Sequence, residues 1–185
     1  MNFKQDFAAV DLILDTKIET RGVDSFILSF LKCEKQARRI FTFLIFQNPS
    51  YSDSDYQALR STLSKNKSIY FKNFISGIEL ILPHSLEDIY GQDYQKDLGN
   101  LLQFVSDRNK IFHGQVTMLG LSRADLIDRV EKIKKWCENL GEKMEREIGY
   151  NGFSKSYVKS TKNLSLKNLK KFSTIVDYEQ FLKKL

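Results

Sequence analysis

The segment Asp107-Arg108-Asn109-Lys110-Ile111-Phe112-His113-Gly114 concentrates more chemistry than any other stretch of this chain. His113 is one of only two histidines and follows Arg108 by five residues. A helix advances about 100° per residue, so Asn109 and His113 share a face at i,i+4, with Arg108 on its flank. Histidine transfers protons near neutral pH. Arginine presents a permanent, planar donor set that suits a phosphate. An amide such as Asn109 orients either group without titrating. Together they suit RNA cleavage without a metal. The 2′-hydroxyl is deprotonated and attacks the adjacent phosphate, negative charge builds on the phosphorane, and the departing 5′-oxygen takes up a proton. One imidazole does not readily serve as both base and acid in a single pass, so a symmetric dimer that pairs two such sites is chemically attractive. The plainer alternative is a surface arginine paired with Asp107 or Asp97, beside a histidine that only ends a helix.

Other chemistries find no support. There is no G-x-x-x-x-G-K phosphate loop, no G-x-G-x-x-G and no G-x-S-x-G elbow. Two histidines cannot build a His-rich metal site, and Cys33 and Cys137 lie too far apart for a C-x-x-C motif. No metal or other cofactor is expected. His84, after Pro83, reads as a loop residue, the two cysteines as small buried hydrophobes, and Trp136 as a core or interface residue.

The elements that must position the segment are helical. Asp24 reads as the N-cap of a helix over 25–47 whose inward stripe includes Phe26, Phe30, Leu31, Ala37 and Phe41. Asn48-Pro49-Ser50 stops it. Asp53 or Asp55 caps a shorter helix with Tyr56, Leu59 and Leu63, an amphipathic run covers 68–82, and 85–90 makes a single turn. A helix over 94–113 carries Leu98, Leu101, Leu102, Val105 and Phe112 on its apolar stripe, and Gly114 closes it. Ser122-x-x-Asp125 reads as a capping box that opens a helix to about Ile148. Tyr150-Asn151-Gly152-Phe153 reads as a turn of a small hairpin, and Asp177 as the cap of a last short helix.

With 42% hydrophobic and 28% charged residues over 185 positions, the chain has the composition of one globular domain. The expected fold class is all-α: an up-and-down bundle of four to five helices over residues 1–149, with a short basic C-terminal appendage, 150–185, packed on it or trailing it. No apolar run approaches the about 20 residues of a spanning helix, and the N-terminus lacks a signal-peptide pattern. A cytoplasmic chain with no membrane partner is the expectation.

Net charge sharpens this picture. Residues 1–149 carry 21 basic and 21 acidic side chains, whereas the last 36 residues carry eight Lys against Asp177 and Glu179. Lys155, Lys159, Lys162, Lys167, Lys170 and Lys171 fall in a stretch with no acid. Such a field attracts RNA or an acidic partner, with Lys155, Lys159 and Lys162 as candidate contacts. Phe153, Tyr157 and Phe172, interleaved with the lysines, are compatible with stacking on single-stranded bases. A solvated, solubilising tail is the bland reading.

Arg108-Asn109-x-x-x-His113 resembles the R-x(4–6)-H motif of the HEPN superfamily, including its stronger form, in which Asn, Asp or His follows the arginine. The resemblance covers residues 24 to 148 through helix order and bundle length. It implies a helical bundle that dimerises so that two motifs form a composite active site. It also implies a metal-independent endoribonuclease with Arg108, Asn109 and His113 as catalytic residues, acting as a toxin or phage-defence effector with RNA as substrate and an antitoxin protein as partner. The alternative within the family is a non-catalytic module that binds RNA or protein. Glu34 and Arg38, at i,i+4, fit a supporting polar pair on the helix opposite the motif, or a plain ion pair. One departure is Gln115, which stands where a related branch carries a modifiable tyrosine two residues after the histidine.

Overall fold

The computed structural model describes residues 2–115, 117, 120–160, 162, 164 and 170–185. Lys167 lies outside the described residues. Within them the chain is all-helical, with no strand. The helices are α1 (Phe3–Leu14), α2 (Arg21–Phe46), α3 (Tyr56–Lys65), α4 (Phe71–Ile81), α5 (Leu86–Tyr90), α6 (Tyr94–Phe112), α7 (Arg123–Ile148) and α8 (Ile175–Lys184), with one 3-10 turn at Asp53–Asp55. The four or five helices expected thus become eight among the described residues. α1 lies ahead of the first helix expected from the sequence, and α8 closes the chain.

α2 is the axis of the fold. Its first half is amphipathic, burying Phe26, Phe30, Cys33 and Ala37. From Ile40 to Phe46 every residue is buried, and a helix apolar on all faces must be covered on all faces. α7 runs alongside α2 in the same direction. Gly22 meets Arg123 near the start of both helices, and the buried Gln36 amide donates to the Cys137 carbonyl further along, 2.8 Å. α1 folds back on α2 through the buried Asp6, which pairs with Lys35 at 2.8 Å.

The rest of the cover comes from the segment after α7. Tyr150 stacks on Phe43 with ring centroids 4.3 Å apart, Tyr157 packs edge-on to Phe46 at 5.7 Å, and Tyr178 and Phe181 of α8 lie against Phe41. The described part of 150–185 is packed into the same hydrophobic core as the bundle and does not trail from it. No hairpin forms at 150–153; the loop there is held by Gln36, which also donates to the Asn151 carbonyl at 3.0 Å.

Local signals place most helix ends. Ser122 and Asp125 form the capping box of α7, and Gly149 ends that helix in the left-handed region at φ 74°. α2 begins three residues before Asp24, which sits in its first turn and accepts a bond from the Thr20 hydroxyl. Asp177 is the third residue of a capping box, and Thr174 is the N-cap. No helix among the described residues is long and apolar enough to cross a membrane.

Candidate functional site

The site is built where the C-terminal end of α6 meets the middle of α2. Of the stripe expected on α6, Leu101 is buried and only Phe112 is exposed. The helix's inward residues are Tyr94, Leu101, Phe104 and Asp107; Leu98, Leu102 and Val105 are half-buried, and Phe112 is 60% exposed. Asp107 is buried against Arg129 of α7, whose guanidinium lies over the Phe104 ring at 4.7 Å. That pair fixes the rotation of α6 and turns Arg108 toward α2.

Arg108 is held on three sides. Its Nη1 donates to the Glu34 carboxylate at 2.8 Å, its Nε and Nη2 donate to the Asn109 side-chain oxygen at 3.3 and 3.0 Å, and its plane lies 5.0 Å from the Phe30 ring centre. Neither Asp107 nor Asp97 is its partner: Asp97 accepts the Tyr90 hydroxyl at 2.7 Å. Glu34 therefore supports Arg108 and does not pair with Arg38. The i,i+4 pair expected from spacing loses to a cross-helix partner, because Arg108 is mostly withdrawn from water and Arg38 points into it.

Asn109 is exposed and caps the Nε–Nη2 edge of the guanidinium, the edge best suited to two parallel bonds with a phosphate. An incoming phosphate would displace only this solvent-facing amide, leaving Glu34 on the remaining nitrogen. His113 follows at the helix end, exposed, with its backbone N–H on the Asn109 carbonyl at 3.1 Å. Its imidazole makes no hydrogen bond to Arg108 or Asn109 among the described residues. Gly114, at φ 63°, turns the chain away through the left-handed conformation, which leaves the imidazole at an open corner.

The lysines divide. Lys159 donates to the Phe46 and Asn48 carbonyls at the end of α2 and lies 4.7 Å over the Phe46 ring. Burial holds its pKa below the ordinary lysine value. Lys162 reaches the Arg146 carbonyl in the last turn of α7. Both thus satisfy carbonyls left over at helix C-termini, where a positive charge is favoured. Lys155 is exposed at the rim of a groove beside α2. Of the interleaved aromatics, Phe153 and Phe172 are each only 2% exposed and are unavailable to a base. Tyr157 is half-buried and lines that groove. Its burial and the neighbouring Tyr56 push the phenol up to about 12, against the pull of Arg60 and Arg38.

Elsewhere, Cys33 and Cys137 are buried side by side, and burial pushes the Cys137 thiol well up, so that thiol is not set up as a nucleophile. Trp136 is a core residue stacked on Tyr90 and Tyr94. His84 is exposed beside a shallow depression near the end of α7. No cluster of three or more His, Cys, Asp or Glu positioned to hold a metal ion occurs among the described residues.

Sequence reasoning missed Phe30 beneath the guanidinium, the Asp107–Arg129 pair behind it, and the groove lined by Tyr56 and Arg60. The aromatic and arginine content was visible. Its convergence depends on three elements that are distant in the chain. Comparison with protein-family models, curated proteins and solved structures gives no match of either sequence or fold.

Proposed function

We propose that the chain is a metal-independent endoribonuclease of the HEPN type, acting as a toxin or phage-defence effector. The observation that carries this reading is Arg108, anchored by Glu34 on one nitrogen, with its phosphate-binding edge covered only by exposed Asn109 and with His113 one turn further along. Arg108 would take the scissile phosphate on its Nε–Nη2 edge and stabilise the phosphorane charge. His113 would pass the proton, from the 2′-hydroxyl in one role and to the leaving 5′-oxygen in the other. The 2′-oxygen–phosphorus bond forms as the phosphorus–5′-oxygen bond breaks, leaving a 2′,3′-cyclic phosphate and a 5′-hydroxyl.

Two roles call for two imidazoles, so the working unit is a homodimer. Phe112, 60% exposed beside His113, supports this, because a large apolar side chain next to the site gains from being covered by a second copy. The test is inducible expression of wild type beside His113→Ala, followed by analysis of cellular RNA ends. Growth arrest and cyclic-phosphate fragments are expected in the wild type alone, unaffected by chelator in the purified reaction. Identical behaviour of the two proteins, or cleavage abolished by EDTA, overturns the mechanism.

A second reading is a non-catalytic module that binds RNA or a protein partner. It is favoured by the exposed His113 imidazole, which makes no side-chain hydrogen bond among the described residues. It predicts steeply salt-dependent binding and no cleavage.

A further inference from the structure

The groove beside α2 has a volume of about 1410 Å³, larger than the roughly 300–1,000 Å³ typical of small-molecule pockets. Its walls come from the outward face of α2, from α3 and the connection to α4, and from the loop 155–159. Six cations line it: Lys35, Arg38, Arg39, Arg60, Lys155 and Lys159. Lys35 is already paired with Asp6, and Arg39 is bonded to the Phe153 carbonyl at 3.0 Å. Arg38 and Arg60 are exposed and pair with no carboxylate among the described residues; Arg60 donates only to the Tyr56 hydroxyl, 3.1 Å. Of the two acids lining the groove, Glu34 is matched by Arg108, and Asp53 lies close enough to Lys159 to act on its charge. The uncompensated charge is therefore positive. It is carried by guanidiniums that flank two tyrosines, Tyr56 and Tyr157, set edge-to-face at 4.7 Å.

We propose that this groove binds a single-stranded stretch of nucleic acid, with phosphates on Arg38 and Arg60 and a base against Tyr56. Paired guanidiniums alternating with aromatic faces are the chemistry of single-strand recognition, whereas a duplex keeps its base faces inside. An acidic peptide would use the arginines but leave the tyrosine faces without a partner. The groove borders the candidate site through Glu34, which lines it and pairs with Arg108. A strand lying there continues toward Arg108. The choice of RNA over DNA rests on the ribonuclease reading above; the groove's charge and aromatic pattern do not.

The test uses fluorescence anisotropy with a short 2′-O-methyl single strand, which cannot be cut by 2′-hydroxyl attack. Arg38→Ala/Arg60→Ala should weaken binding by about 30-fold or more at low salt and flatten the slope of log affinity against log salt by about 1.4, from 0.7 per phosphate. Tyr56→Ala should cost about tenfold. Arg38→Lys/Arg60→Lys, which keeps both charges, should retain most of the salt slope and guards against a folding defect. Single-stranded DNA that binds comparably and shows the same variant pattern also supports the groove. Equal affinity of wild type and the Ala pair overturns the proposal, as does tighter binding of a duplex or of polyglutamate. Cleavage is read separately on unmodified RNA. Intact binding without cleavage sinks the ribonuclease reading and spares the groove; cleavage with groove variants unaffected does the reverse.

Discussion

Asp107 and Arg108 are neighbours on α6, and each makes an ion pair with another helix. The first faces inward to Arg129, with side chains 1% and 8% exposed. The second faces sideways to Glu34, with Arg108 11% and Glu34 21% exposed, and leaves one guanidinium edge to an amide in water. A buried pair is a fixed joint: removing one partner strands a charge with no solvent to receive it. A pair at the boundary can hold an arginine in place and still let it take a ligand. One residue of helical rotation thus separates a charge locked in the interior from one held at the protein's edge.

The sharpest way to break this contrast is Asp107→Ala, which should cost about 3–5 kcal/mol in urea unfolding by leaving Arg129 buried and unpaired. The apolar pair Asp107→Leu/Arg129→Met should recover most of that loss, because both charges then leave the interior together. Arg108→Ala should cost less, about 1–2 kcal/mol from the lost ring contact and the freed Glu34, while lowering RNA cleavage by about 100-fold or more. If its stability loss matched that of Asp107→Ala, Arg108 would belong to the same structural joint.

Ser122→Ala should cost about 1 kcal/mol by removing the cap of α7. The Ser122 hydroxyl and backbone N–H hold the Asp125 carboxyl below its ordinary 3.8. A depressed carboxyl stabilises the fold above its unfolded pKa, and that contribution is lost as pH falls through the folded value. Acid melts below about pH 4 should therefore be shallower in Ser122→Ala than in wild type. The smallest stability effect belongs to His113→Ala, within about 0.5 kcal/mol for an exposed side chain, although cleavage should fall by about 100-fold or more. Stability lost without activity lost would reverse the assignment.

Much of the frame was legible in the chain because it is written over four or five residues. The Ser122–Asp125 box, the stop after Gln47 and the Gly114 turn all depend on neighbours in sequence, and all three appear where the pattern puts them. Less legible was which face of α6 is inward. Leu98, Leu102 and Val105 compete with Tyr94, Phe104 and Asp107 for the core, and only the position of Arg129 on α7 settles the rotation. The lysines were legible as charge and not as partners. Lys162 satisfies a carbonyl of α7, the helix it follows, but those Lys159 satisfies lie at the end of α2, which the linear pattern does not bring near.

The sequence alone determined that the chain is helical, where most helices stop, and that Arg108, Asn109 and His113 lie on one turn and a half of α6. Those outcomes rest on periodicity and local hydrogen bonds. The tertiary structure decided that Glu34 serves Arg108, that Phe112 lies outside the core, and that the basic C-terminal segment completes the core around Ile40–Phe46. Pairing and burial depend on which elements meet, and for a helix apolar on every side the covering elements come from both ends of the chain.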